Sequence, residues 1–174
     1  MNTAEEVAEK TSKTPMVWIR PLLSGEDATA FRTLNEEWIT RYFTLEAKDR
    51  ETLGDPEGKI LAKGGHIFMV WTLVEDEAEA VGCVALIPMG DGVYELSKMA
   101  VSPAMRGLGV GRRLLEYAIA QARVIGAKSL FLGSNSKLAN AVHLYEAVGF
   151  KHVPVERVPA LGYSRADVFM ELGL

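Results

Sequence analysis

One short segment fixes more of the architecture than any other: Arg106-Gly107-Leu108-Gly109-Val110-Gly111, where one apolar rhythm stops and another starts. Ahead of it, residues 93–101 alternate as a strand does. Behind it, Val110, Leu114, Leu115, Ala118, Ile119 and Ala122 share one face of a helix that Gly126 closes. A strand that turns into a helix through three glycines demands a mixed α/β fold. It also makes an anion site, because the first N–H groups of a helix lack intrahelical partners and the dipole is positive there. Glycine permits positive φ and removes the Cβ from the approach, and Arg106, Arg112 and Arg113 add charge nearby. A diphosphate would be held mainly by main chain.

Two other phosphate loops are excluded. A Walker A loop needs Gly-Lys-Ser/Thr at its end, whereas Gly111 is followed by Arg112-Arg113-Leu114. The dinucleotide fingerprint needs G-x-G-x-x-G inside a βαβ unit, and the spacing here is G-x-G-x-G after a meander. On the glycines alone, a phosphate cradle and an empty turn stand level.

The remaining elements follow from period and punctuation. Residues 16–20 form a short strand stopped by Pro21. Ser24 caps a helix carrying Ala28, Phe31, Leu34, Trp38 and Ile39 that ends near Tyr42. Residues 44–65 read as a short helix plus loops. Strands are predicted over 66–74, 80–89 and 93–101, joined by the acidic turn Glu75-Asp76-Glu77 and by Gly90-Asp91-Gly92 as an antiparallel meander. After the helix come a strand over 128–132, a helix over 136–148 closed by Gly149, and strands over 150–155 and 166–172. The order is β-α-α-β-β-β-α-β-α-β-β.

With 174 residues, 48% of them hydrophobic and 24% charged, the chain suits one soluble domain over 16–174 behind a polar, flexible leader over 1–15. A net charge of −4 offers no general attraction for nucleic acid or an anionic membrane. The leader has no apolar core of a secretory signal and no run is long enough to span a bilayer, so a cytoplasmic location is expected, as a monomer or homodimer. Cys83, the single cysteine, reads as a buried strand residue. His66, His143 and His152 form no metal-ligand spacing, so no metal is expected.

Three segments together resemble the GCN5-related N-acetyltransferase (GNAT) superfamily. Arg106, Gly109 and Gly111 meet its Q/R-x-x-G-x-G/A cofactor motif. Residues 140–150 end in its LYE-x-x-GF, and residues 95–103 look like its central strand. The element order agrees, and the likeness covers about 16–174. The resemblance implies a mostly antiparallel sheet of about seven strands flanked by helices, with acetyl-CoA as the cofactor and no metal. It implies transfer of the acetyl group to a primary amine of a small molecule, amino acid or peptide. The alternative is a coenzyme A-binding regulatory module without turnover.

The resemblance also implies roles. Met99, Ala100 and Val101 would offer main-chain groups to the thioester and the pantetheine arm, and residues 106–112 (Arg106, Gly107, Leu108, Gly109, Val110, Gly111, Arg112) would cradle the pyrophosphate. Many members carry an asparagine seven residues before the tyrosine, where this chain has Leu138; Asn135 and Asn140 are the candidates to replace it. Tyr145 stands where the family often has the acid that protonates the leaving thiolate, and a phenol of pKa about 10 can do so. Glu95 lies eleven residues before Arg106, the spacing of the glutamate base in histone-type members; the other reading of Glu95 is a salt bridge with Lys98 or another base. The family layout would place Arg41, Tyr42, Phe43, Tyr163 and Arg165 around the acceptor.

Overall fold

The computed structural model describes residues 15–158 and 165–174. Most of the polar leader and Tyr163 lie outside the described residues. The elements are β1 (Val17–Pro21), α1 (Gly25–Tyr42), α2 (Ala47–Gly54), a one-turn α3 (Pro56–Lys59), β2 (His66–Val74), β3 (Glu77–Gly90), β4 (Val93–Val101), α4 (Val110–Val124), β5 (Ser129–Ser134), α5 (Ala139–Ala147), β6 (Lys151–His152) and β7 (Val168–Gly173). The strands make one seven-stranded sheet in the order β1-β2-β3-β4-β5-β7-β6. All neighbours run antiparallel except β4 and β5. The expected fold is the observed one, with α3 added.

Local chemistry explains most boundaries. The Ser24 hydroxyl accepts from the Asp27 N–H, and Arg20 bonds the Asp27 carboxylate at 2.6 Å, so the entrance to α1 is fixed to β1. Pro21 does not end β1 but stays within it. The strand lies at the sheet edge and pairs only with β2, where a missing N–H costs nothing. The helix predicted over 136–148 starts at Ala139, because the Asn135 side chain accepts from the Lys137 N–H and curls residues 135–138 into a turn. Predicted strand 150–155 shrinks to Lys151–His152, since Pro154 has no N–H to continue the ladder.

Strand alternation divides the core between the two faces of the sheet. Phe68, Val70, Val84 and Leu86 pack with Val110, Leu114, Leu115 and Tyr145 on the α4 and α5 face. Ile67, Met69, Cys83 and Ala85 pack with Phe31, Ile39 and Leu53 on the α1 and α2 face. Leu114 and Leu115 are fully buried, each contributing about 1.5–3 kcal/mol relative to exposure.

In β4 the alternation breaks. Cys83 pairs with Ala100 and Ala85 with Ser97, so the single Val84 opposes both Lys98 and Met99. Lys98 takes up the extra residue with φ +53, a β-bulge. Leu96 and Met99 therefore share the α4 face three positions apart, and Ala100 returns to the α1 face. The bulge is braced from beneath. Cys83 Sγ donates to the Lys98 carbonyl at 3.5 Å, Asn35 Nδ2 donates to Cys83 Sγ at 3.3 Å, and Trp38 Nε1 donates to Asn35 Oδ1 at 3.2 Å. Cys83 is fully buried, as expected, and burial pushes its thiol up to about 12.

Candidate active site

The glycine segment has the backbone that its residues predict. Gly107 and Gly109 sit at φ +75 and +81, and Gly109 is the N-cap of α4. A glycine cap has no side-chain oxygen to accept from the helix start, and the first intrahelical bond in this turn runs from the Arg113 N–H to the Gly109 carbonyl at 3.1 Å. The N–H groups of Val110, Gly111 and Arg112 thus face outward from a helix start. A Cβ built at Gly107 or Gly109 would meet no protein atom within 4 Å, so positive φ, and not crowding by protein, is what calls for glycine there. Gly111 differs: its φ is not positive, and a Cβ placed on it would make ordinary van der Waals contacts of 3.7–4.0 Å with Leu144, Val101 and Met99.

Beside this loop the sheet opens. β4 and β5 pair only at Val93–Ser129, Tyr94–Leu130 and Glu95–Phe131, after which β5 goes on pairing with β7 while β4 bends away through its bulge. The β5-facing edge of β4 beyond Glu95 has no strand partner. A cavity of about 630 Å³ occupies the gap, lined by β4 from Glu95 to Val101, the glycine loop, the β5–α5 turn, the start of α5, the end of α1, and Arg165 and Ala166. It is large enough for a cofactor arm and a small acceptor.

Glu95 and Tyr145 approach this gap from opposite faces. Glu95 pairs with Ile87, which packs on the α1 face, and its neighbour Leu96 points to the α4 face. Tyr145 belongs to the α4 and α5 face, its ring edge-on to Phe150 at 5.9 Å. Burial raises the Glu95 pKa, opposed by Lys48, by Lys98 and by a Ser97 hydrogen bond. Burial alone pushes the Tyr145 phenol up to about 12. The site therefore combines a carboxyl with increased proton affinity and a phenol that stays protonated.

A second charged group flanks the cavity. Asp49 is fully buried and accepts two bonds of 2.7 Å from Arg165, one of 3.0 Å from Lys98 Nζ and one of 2.9 Å from the Glu46 N–H. Burial would raise its pKa, but Arg165, the Glu46 N–H and Lys98 outweigh that and hold it at about 2. Burial lowers the Lys98 pKa against the pull of Asp49. Glu46 adds a 3.1 Å contact to Arg165. The cluster ties α2, the β4 bulge and the approach to β7 together. Lys98 thus bonds Asp49 at 3.0 Å, and its charge also acts on Glu95.

The family model for acetyltransferases of the GNAT family matches residues 29–150. The chain belongs to the GNAT acetyltransferase family. It is an acyltransferase, and its cofactor is acetyl-CoA. The chain is 33% identical over 122 residues to an uncharacterized N-acetyltransferase of Escherichia coli, covering 66% of this chain and 71% of that one. A GNAT-family acetyltransferase of Staphylococcus aureus superposes with a TM-score of 0.80 at 18% identity, over 91% of this chain and 99% of that one. The N-acetylglutamate synthase of Neisseria gonorrhoeae, solved with coenzyme A and N-acetyl-glutamate, superposes with a TM-score of 0.67 at 22% identity, over 93% of this chain and 36% of that one.

The residues present fit that cofactor. The outward N–H groups of Val110, Gly111 and Arg112 and the side chains of Arg106 and Arg112 suit a pyrophosphate, and the unpaired β4 edge suits an amide-bearing arm. Of the residues singled out in the sequence, Tyr145, Glu95, Met99, Ala100, Val101, Arg106, Gly107, Gly109, Val110, Gly111, Arg112, Asn135, Asn140, Tyr42, Phe43 and Arg165 line one cavity. Leu108 and Arg41 do not: Leu108 is an exposed loop residue, and Arg41 folds back onto Glu37 one turn earlier. The two asparagines separate. Asn135 bonds the Arg165 carbonyl through Nδ2 and the Lys137 N–H through Oδ1, whereas Asn140 stands exposed on the first turn of α5.

Sequence reasoning missed Asp49, Lys98 and Trp38. Asp49 had a readable signal, since Leu45, Asp49 and Leu53 fall four apart on one helical stripe, and a carboxylate amid leucines needs a buried partner.

Proposed function

We propose that the chain acetylates a primary amine of a small molecule, amino acid or peptide by direct attack, with both substrates held in the one cavity. The observation that carries this reading is the approach of Glu95 and Tyr145 to the β4–β5 gap from opposite faces of the sheet. Bound acetyl-CoA supplies an acyl group activated as a thioester. Glu95, with its raised pKa, accepts a proton from the incoming ammonium, directly or through one water. The main chain at Met99, Ala100 and Val101 binds and orients the acyl end, with an N–H available to its carbonyl oxygen. Asn140 is the asparagine that remains available to the pantetheine arm. Tyr145 Oη holds the proton that a departing sulfur requires, on the face opposite the amine.

Direct attack is favoured over an acyl-enzyme because the only thiol of the chain, Cys83, is fully buried, held in its neutral form, and absent from the cavity wall. The test is thiol release from acetyl-CoA across a panel of amines, amino acids and short peptides. Amine-dependent release with an acetylated product is expected. Tight coenzyme A binding with no release for any amine would instead support the regulatory module.

A further inference from the structure

We propose that the acceptor amine carries a carboxylate and that Lys137 is the cation that receives it, an inference that rests on the transfer reading above. Six charged side chains line the cavity: Glu95, Lys98, Arg106, Arg112, Lys137 and Arg165. Four of the five cations are matched to carboxylates, Lys98 and Arg165 to Asp49, Arg106 to Glu37 at 3.6 Å and Arg112 to Glu116 at 2.9 Å. Lys137 is not matched to any carboxylate among the described residues. Its ammonium lies 5.5 Å from the centroid of the Phe43 ring, and its N–H is pinned to Asn135 Oδ1.

A cation over an aromatic face is held in place by about 0.5–1 kcal/mol without being neutralised. Phe43 packs edge-on against Trp38, and both belong to the cluster on the α1 face, the face from which Glu95 approaches. The unmatched cation therefore stands on the acceptor side of the gap, not on the Tyr145 side. That side presents two complementary groups, a carboxyl that takes protons and an ammonium without a carboxylate partner among the described residues. A ligand with an ammonium at one end and a carboxylate at the other satisfies both, whereas a plain alkylamine leaves Lys137 without a counter-charge.

The test compares amino acids with their amides, which keep size and hydrogen bonding but lose the negative charge. The wild-type chain should prefer the acids in kcat/KM by about ten- to a hundredfold, the worth of a charge-assisted hydrogen bond. Lys137→Met should shrink the acid-to-amide ratio toward one, mainly through KM, and Lys137→Arg should restore most of it. Parity of acid and amide in the wild type, or an unchanged ratio in Lys137→Met, overturns the proposal. Calorimetric binding of the acids to coenzyme A-saturated protein keeps the two readings apart. Binding that is lost in Lys137→Met without thiol release upholds the anion site and contradicts transfer. Thiol release with acid–amide parity upholds transfer and contradicts the anion site. Neither binding nor release contradicts both.

Discussion

Glu95 faces Phe131 across the last rung of the parallel β4–β5 ladder, and beyond that rung the two strands part. The carboxylate thus stands at the edge of the opening, while the bulge at Lys98 turns the following β4 groups into it. The Glu95 carboxyl and the open main-chain edge of β4 meet where this one strand leaves its partner.

Glu95→Gln should lower turnover by roughly a hundred- to ten-thousandfold, the range of general-base catalysis, and should remove the acidic limb of the kcat/KM profile. The stability effect has the opposite sign. A carboxyl whose folded pKa is raised above 4.5 contributes stability fully below its unfolded pKa and loses it as pH rises through the folded value. At neutral pH the glutamine variant should therefore be at least as stable as wild type in a denaturant titration.

Tyr145→Phe should reduce kcat by roughly ten- to ten-thousandfold while leaving coenzyme A affinity and melting temperature nearly unchanged, because burial shapes the phenol and no hydrogen bond reaches it among the described residues. With a pKa near 12, the phenol stays protonated across the ordinary assay range. An alkaline loss of activity below about pH 10 that vanishes in Tyr145→Phe would contradict the raised pKa, and unchanged kcat in Tyr145→Phe would contradict the acid role.

Asp49→Asn should cost about 3–5 kcal/mol, since it leaves the buried Lys98 ammonium without its counter-charge. Lys98→Met in the same background should recover part of the loss. The pH dependence follows from the depressed carboxyl: its contribution is present above the unfolded value near 3.8 and disappears as pH falls through about 2. Acid titration of stability between pH 4 and 2 should be shallower in the variant.

Gly109→Ala should destabilise the chain by about 1 kcal/mol, the cost of a Cβ at φ +81, because no protein atom crowds that position. Coenzyme A affinity should fall by more than this, at least tenfold, if the pyrophosphate lies against the loop. Equal affinity in calorimetry would count against the cradle.

The sequence was legible wherever a feature depends on neighbours along the chain. The alternation of β2 and β3, the helical stripe of α4 and the positive φ at Gly107 and Gly109 all follow from local spacing. The bulge at Lys98 was not legible, because it is defined by the register between Cys83 and Ala100, and a strand pattern alone does not reveal an extra residue in the ladder. The Asp49 cluster joins residues 49 and 116 positions apart, which no local period encodes. The identity of the matched and unmatched cations followed the same rule. Arg41 and Arg165 looked equivalent in sequence, yet Arg41 pairs with Glu37 within its own helix and Arg165 with Asp49 across the fold.

The most direct measurement is the initial-rate pattern for thiol release with acetyl-CoA and amine varied together. Both substrates held across the β4–β5 gap predict lines that intersect, with no release when amine is omitted. Parallel lines, or release that continues without amine, would contradict direct transfer in this cavity.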